Sequence, residues 1–121
     1  MSVREARIPL AEAPLEGELR LVELGRHRIG LVRLGEAYHA LADRCPHRGA
    51  PLCSGGRLAT AIEVVDGEVT VGRPHALLRC PWHKWDFDVA SGRCVVDRRL
   101  RVRTYPVSVE GDEVVVRLDR R

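Results

Sequence analysis

Two short stretches hold the residues whose types and spacing can do chemistry: Cys45-Pro-His47 within "RCPHRGAPLC" (44–53) and Cys80-Pro-Trp-His83 within "CPWHKW" (80–85). Each offers one thiolate donor and one imidazole donor, and in each a proline follows the cysteine and restricts it to extended backbone. Three readings are open to a set of two cysteines and two histidines. It can clasp one zinc ion as a structural site. It can divide over the two irons of a [2Fe–2S] cluster, thiolates on one iron and imidazoles on the other. Or the four can be ordinary loop and core members.

The elements that must position these loops are strands. Short runs rich in Val, Ile and Leu recur at 19–24, 28–34, 37–42, 62–65, 68–71, 76–79, 105–110 and 113–118, punctuated by glycine and Asp-Gly pairs. That pattern predicts an antiparallel all-β domain. Asp66-Gly67 and Gly111-Asp112 read as hairpin turns. "PLAEAPLEGE" is too broken by proline and glycine for more than one short helical turn, and no segment sustains a longer helix period. Cys, Pro, His and Gly cluster between residues 43 and 57, and a loop with that much special chemistry on a β scaffold is where function is expected.

At 121 residues the chain fits one domain. The formal charge of +3 comes from 20 basic against 17 acidic residues, interspersed along the chain, so nucleic acid is not the expected partner. The N-terminus lacks the apolar core of a secretory signal and no run is long enough to span a membrane, which predicts a soluble cytoplasmic protein. In a reducing compartment, thiols beside histidines serve metal or redox chemistry more often than disulfides.

"CPHRGAPL" and "CPWHKWDFDVASG" resemble the two cluster-binding loops of Rieske proteins, and the tail "LRVRTYPVSVEGDEVVVRL" is similar to the closing hairpin of Rieske ferredoxins and oxygenase Rieske domains. The resemblance spans nearly the whole chain. It implies the Rieske fold, an antiparallel sandwich or partial barrel with a base formed by about 1–42 and 96–121 and an inserted cluster-binding subdomain of about 43–95. It implies one [2Fe–2S] cluster, with Cys45 and Cys80 on the inner iron and His47 and His83 on the outer, solvent-facing iron. Gly49 would give the first loop its close approach to the cluster. Two departures stand out. Lys84 occupies a position where the family usually has glycine, and the spacing between the loops is roughly twice the usual; "IEVVDGEVTV" accounts for the excess as an added or lengthened hairpin.

High-potential members of the family carry a disulfide between the loops and hydroxyl donors to cluster sulfur. The corresponding positions here are Ala50, Trp82, Trp85 and Phe87, so the resemblance implies a potential at the low end of the Rieske range, on the order of −150 mV. The implied role is a one-electron carrier, the ferredoxin component between a reductase and a terminal oxygenase. Alternatives are a small subunit of a nitrite-reductase-like complex, a redox sensor, and a zinc-stabilised β interaction module. Arg44, Arg48, Arg57 and Lys84 around the loops suggest an acidic docking face on the partner. Cys53 and Cys94 read as reduced thiols, His27, His39 and His75 as surface or core residues, and Trp82 and Trp85 as either cluster shields or packing residues.

Overall fold

A computed structural model describes residues 4–46, 49–60, 62–71, 74–82 and 84–118. His47 and His83 therefore lie outside the described residues. Among the described residues, twelve strands run in chain order: β1 (Glu5–Pro9), β2 (Leu19–Leu24), β3 (His27–Leu34), β4 (Ala37–Ala42), β5 (Arg57–Ala59), β6 (Ile62–Val65), β7 (Glu68–Val71), β8 (Leu77–Arg79), β9 (Asp86–Asp88), β10 (Thr104–Tyr105), β11 (Val107–Glu110) and β12 (Glu113–Arg117). A 3-10 turn spans Leu10–Glu12, and one short helix, α1, spans Leu52–Gly55. The chain is all-β and its sheet pairings are antiparallel, as the alternating pattern predicts.

Three sheets and one hairpin result. The first sheet has the order β1-β12-β11, the second β10-β4-β3-β2, the third β5-β8-β9, and β6 pairs with β7 alone. The β6–β7 hairpin pairs Val65 with Glu68 across Asp66-Gly67, where the sequence placed it.

β3 explains how the layers stack. Its run Ile29-Gly30-Leu31-Val32 is buried without alternation, which a strand shows when both of its faces are covered. Ile29 and Leu31 pack with Ile8, Val22, Leu24, Ala40, Val114 and Val116 between the first two sheets. Val32 and Leu34 point to the opposite face and join Leu41, Leu52, Leu78, Phe87, Val89 and Val102 under the third sheet. Each fully buried aliphatic side chain contributes about 1.5–3 kcal/mol of transfer free energy, so this central strand ties both cores to one scaffold.

Two details differ from the sequence expectation. The run at 105–110 is not one strand: Tyr105 ends β10 in the second sheet, and Val107 begins β11 in the first. Pro106 between them lacks an N–H and leaves only its carbonyl, which accepts from the Arg117 N–H at 3.0 Å. The chain changes sheets at that residue. Strands β1, β5 and β9 were not predicted, because each is short and supplies few buried apolar residues of its own; β1 buries only Ile8 and is held by its five-residue register with β12.

Candidate metal centre

The first cysteine loop leaves β4 and returns through α1, and the second is the connection of the β8–β9 hairpin. Unrelated in their flanking elements, they fold alike. The Cys45 N–H donates to the Ala50 carbonyl at 2.8 Å, and the Gly49 N–H returns to the Cys45 carbonyl at 2.7 Å. In the second loop the Cys80 N–H donates to the Trp85 carbonyl at 2.8 Å, and the Lys84 N–H returns to the Cys80 carbonyl at 3.1 Å. The residue that returns the bond has left-handed backbone in both, φ 75° at Gly49 and 60° at Lys84. Lys84 is thus the structural counterpart of Gly49. It keeps the turn that glycine would make, at a backbone cost of about 1–2 kcal/mol.

Each loop is closed at its neck by a carboxylate. Asp43 accepts from the Cys53 N–H at 2.6 Å, the Ser54 N–H at 3.0 Å and the Ser54 hydroxyl at 2.7 Å, tying the entry of the first loop to its exit. Asp86 accepts two hydrogen bonds from Arg79, at 2.8 and 3.0 Å, across the base of the second. Paired, planar contacts of this kind fix geometry as well as contributing energy.

The loops meet at Gly55 and Gly56. A Cβ on Gly55 would stand 3.1 Å from Pro51 of the first loop and 3.4 Å from Pro81 of the second, and one on Gly56 would collide with the backbone carbonyls of Leu52 and Arg79. Only glycine allows α1 to sit this close to both. With the loops so joined, Cys45 and Cys80 fall in one apolar cluster, 0% and 1% exposed, and neither is in a disulfide. Two buried thiols at equivalent positions of adjacent, matching turns fit a shared metal group, and the apolar floor of Leu52, Leu78 and Phe87 keeps water from that side.

At Gly49 a Cβ would meet only the far end of the Arg44 side chain among the described residues, at 3.4 Å, and the positive φ of 75° by itself favours glycine there. Trp82 is 57% exposed and packs into neither core, whereas Trp85 packs against the cluster that contains both cysteines. Cys53 and Cys94 are buried and unpaired. Burial, with a smaller contribution from the Asp43 charge, pushes the Cys53 thiol up to about 12. Half-buried His27 packs edge-on against Tyr105, His39 is half-buried on β4, and His75 has a buried Nδ1 with no hydrogen-bond partner among the described residues. Of the cations named from sequence, Arg44, Arg57 and Lys84 are exposed, and Arg48 lies outside the described residues. Sequence reasoning missed Asp43, Asp86 and the Gly55-Gly56 pair. The acidic residues standing just outside each cysteine loop, and the adjacent glycines themselves, were the available signals.

The Rieske [2Fe–2S] domain family matches residues 7–106, and the chain belongs to that family. Its cofactor is accordingly a Rieske [2Fe–2S] cluster. The mouse (Mus musculus) apoptosis-inducing factor 3 is 32% identical over 87% of this chain, which spans only 15% of that protein's length. The 3-phenylpropionate/cinnamic acid dioxygenase ferredoxin subunit of Shigella boydii is 28% identical over 91% of this chain and 89% of its own. The solved ferredoxin of carbazole 1,9a-dioxygenase from Nocardioides aromaticivorans IC177 superposes with a TM-score of 0.68 and 27% identity, covering 97% of both chains. No described helix is long and apolar enough to cross a membrane.

Proposed function

We propose that the chain is a one-electron carrier, the ferredoxin component that passes electrons from a reductase to a terminal oxygenase. In this reading Cys45 and Cys80 hold the inner iron and His47 and His83 the outer one, within a cluster-binding subdomain of about residues 43–95. The observation that carries it is the matched pair of turns, each presenting a buried thiol from the same hydrogen-bonded frame. The relatives that the chain matches along most of their length include ferredoxin components of dioxygenases, which supports the carrier reading.

A bound cluster of this type supplies a one-electron acceptor that is easier to reduce than an all-cysteine [2Fe–2S] cluster, because neutral imidazoles replace two thiolates. The chain's own residues set the rest. Leu52, Leu78 and Phe87 exclude water from the cysteine side, while Asp43 and the Arg79–Asp86 pair hold the loop necks. Fully buried Phe87 has no hydroxyl to donate toward cluster sulfur, which supports a low potential, on the order of −150 mV. The absence of a disulfide at Cys45, Cys53, Cys80 and Cys94 suits a reducing cytoplasm.

The test is electron paramagnetic resonance on dithionite-reduced, anaerobically purified protein, with iron, sulfide and zinc counted in the same sample. A rhombic signal of low average g with about two irons per chain is the expected result. Cys80→Ser should lose most of the iron, and His83→Cys should retain iron with an altered optical spectrum and a lower potential. A silent sample holding one zinc would make the four residues a structural clasp and overturn the carrier reading.

A further inference from the structure

A cavity of about 570 Å³ lies beside the first cysteine loop, and its lining is rich in arginine. Arg26 comes from the β2–β3 turn, Arg28 from the start of β3, Arg44 from the loop itself, and Arg101 and Arg103 from the segment entering β10. Asp43 is the only carboxylate among the described lining residues, giving five guanidinium groups to one carboxylate among them. Its oxygens already accept three hydrogen bonds from Cys53 and Ser54, and its one arginine contact, to Arg28, is long at 3.9 Å.

Several arginines elsewhere on the surface are compensated by carboxylates. On the outer face of the first sheet, Arg7 pairs with Glu5, Glu110 and Glu113, and Arg117 pairs with Glu5 and Glu110. Arg79 pairs with Asp86 and Arg99 with Asp97. Among the described residues, Arg4, Arg33, Arg57, Arg93 and Arg98 also lack a carboxylate partner but none of them lines this cavity, whereas Arg26, Arg44, Arg101 and Arg103, likewise without one, share the same groove. Two of them are held in place by other means: the Arg103 guanidinium lies 4.6 Å from the Tyr105 ring centroid, and Arg101 donates to the Ser91 carbonyl at 3.1 Å. Uncompensated, positioned cations around a cavity focus potential outward and attract an acidic partner.

We propose that this groove docks an acidic segment of the redox-partner protein. The five arginines are all exposed and come from three separate stretches of the chain, residues 26–28, 44 and 101–103, an arrangement suited to several carboxylates carried on one segment. Because Arg44, Pro46 and Gly49 line the groove and also belong to the first cysteine loop, a segment seated there brings its protein against the electron exit. The inference rests on the electron-carrier reading and specifies the partner's surface.

The experiment uses cluster-loaded protein and a fluorescein-labelled octaglutamate peptide, followed by anisotropy at low salt. Three proteins are compared: the wild type, Arg26→Gln/Arg103→Gln in the groove, and Arg93→Gln/Arg98→Gln, two exposed arginines outside it. The groove variant should weaken binding about tenfold or more, the control variant should leave it within about twofold, and added salt should weaken both wild type and control. Equal weakening in the two variants would overturn the proposal in favour of diffuse surface charge. Displacement of the peptide by inorganic phosphate, at concentrations where chloride of equal ionic strength has no effect, would overturn it in favour of a small-anion site. Dithionite reduction of the same samples separates the two readings. A reducible cluster without groove-dependent peptide binding refutes the docking site alone, and groove-dependent binding to protein that dithionite does not reduce refutes the carrier.

Discussion

Replacing Lys84 by glycine should make the protein more stable, although it removes an exposed side chain and touches no core residue. Lys84 sits at φ 60°, in the same position of its turn as Gly49 at φ 75°. A non-glycine residue in that conformation costs about 1–2 kcal/mol. Glycine relieves the cost but gives the unfolded chain more freedom, which takes back about 0.5–1 kcal/mol. The net is a stabilisation of about 0.5–1 kcal/mol, or a rise in Tm of about 2–4 °C for a domain of this size. Gly49→Ala is the mirror experiment. Its Cβ would meet only the flexible Arg44 head, at 3.4 Å, so the loss of about 0.5–1 kcal/mol is again a backbone effect. The assay is thermal unfolding of cluster-loaded protein, with far-ultraviolet circular dichroism and the visible absorbance recorded together so that cluster loss and unfolding are seen separately. A lower Tm for Lys84→Gly would refute the reasoning, since the lysine side chain would then have to contribute more than its backbone costs.

Three further outcomes follow from particular residues. Cys53, with its thiol pushed up to about 12, should resist iodoacetamide at pH 8 in the native state and react once unfolded, because only about one thiol in ten thousand is ionised there. The same shift has a sign for stability: the unfolded thiol ionises first, near 9, so the contribution is complete below that pH and is lost as pH rises toward about 12. Cys53→Ala should therefore flatten the alkaline limb of a urea-stability profile; an unchanged slope contradicts the burial argument. The Asp97 carboxyl, held down to about 2 by the Arg99 guanidinium and backbone N–H, should titrate there by nuclear magnetic resonance and return to the ordinary range in Arg99→Ala. Being depressed, its contribution to stability is present above the ordinary carboxylate range and fades as pH falls toward about 2. Finally, Gly56→Ala should cost at least about 2 kcal/mol in chemical denaturation, because the added Cβ collides with two backbone carbonyls rather than with a movable side chain.

The strands that could be read from the sequence are those whose signal is local and strong. β2, β4, β6 and β7 fall on the residues the apolar runs mark, and β3, β8 and β12 differ by a residue at one end. β5 and β9 have three residues each and are strands only because β8 lies between them with Leu58, Leu78 and Phe87 in register. The run at 105–110 carried the proline that splits it, but nothing local says that the two halves join different sheets. Likewise the four candidate ligands are legible because each pair sits within four residues, where chain geometry alone keeps donors close.

By itself, then, the sequence determined the all-β class, the two Cys-Pro loops, the two-cysteine, two-histidine donor set and the hairpin that fills the long spacing between the loops. These follow from backbone restriction, side-chain alternation and donor chemistry, all of which act over a few residues. Tertiary structure alone decided that the loops share one hydrogen-bonded frame, that Lys84 adopts the backbone of a glycine, and that Gly55 and Gly56 let α1 press against both loops. It alone gathered Arg26, Arg28, Arg44, Arg101 and Arg103 around one cavity. Those features join residues far apart in the chain, and the burial of β3 on both faces, which no local preference encodes, is what brings them together.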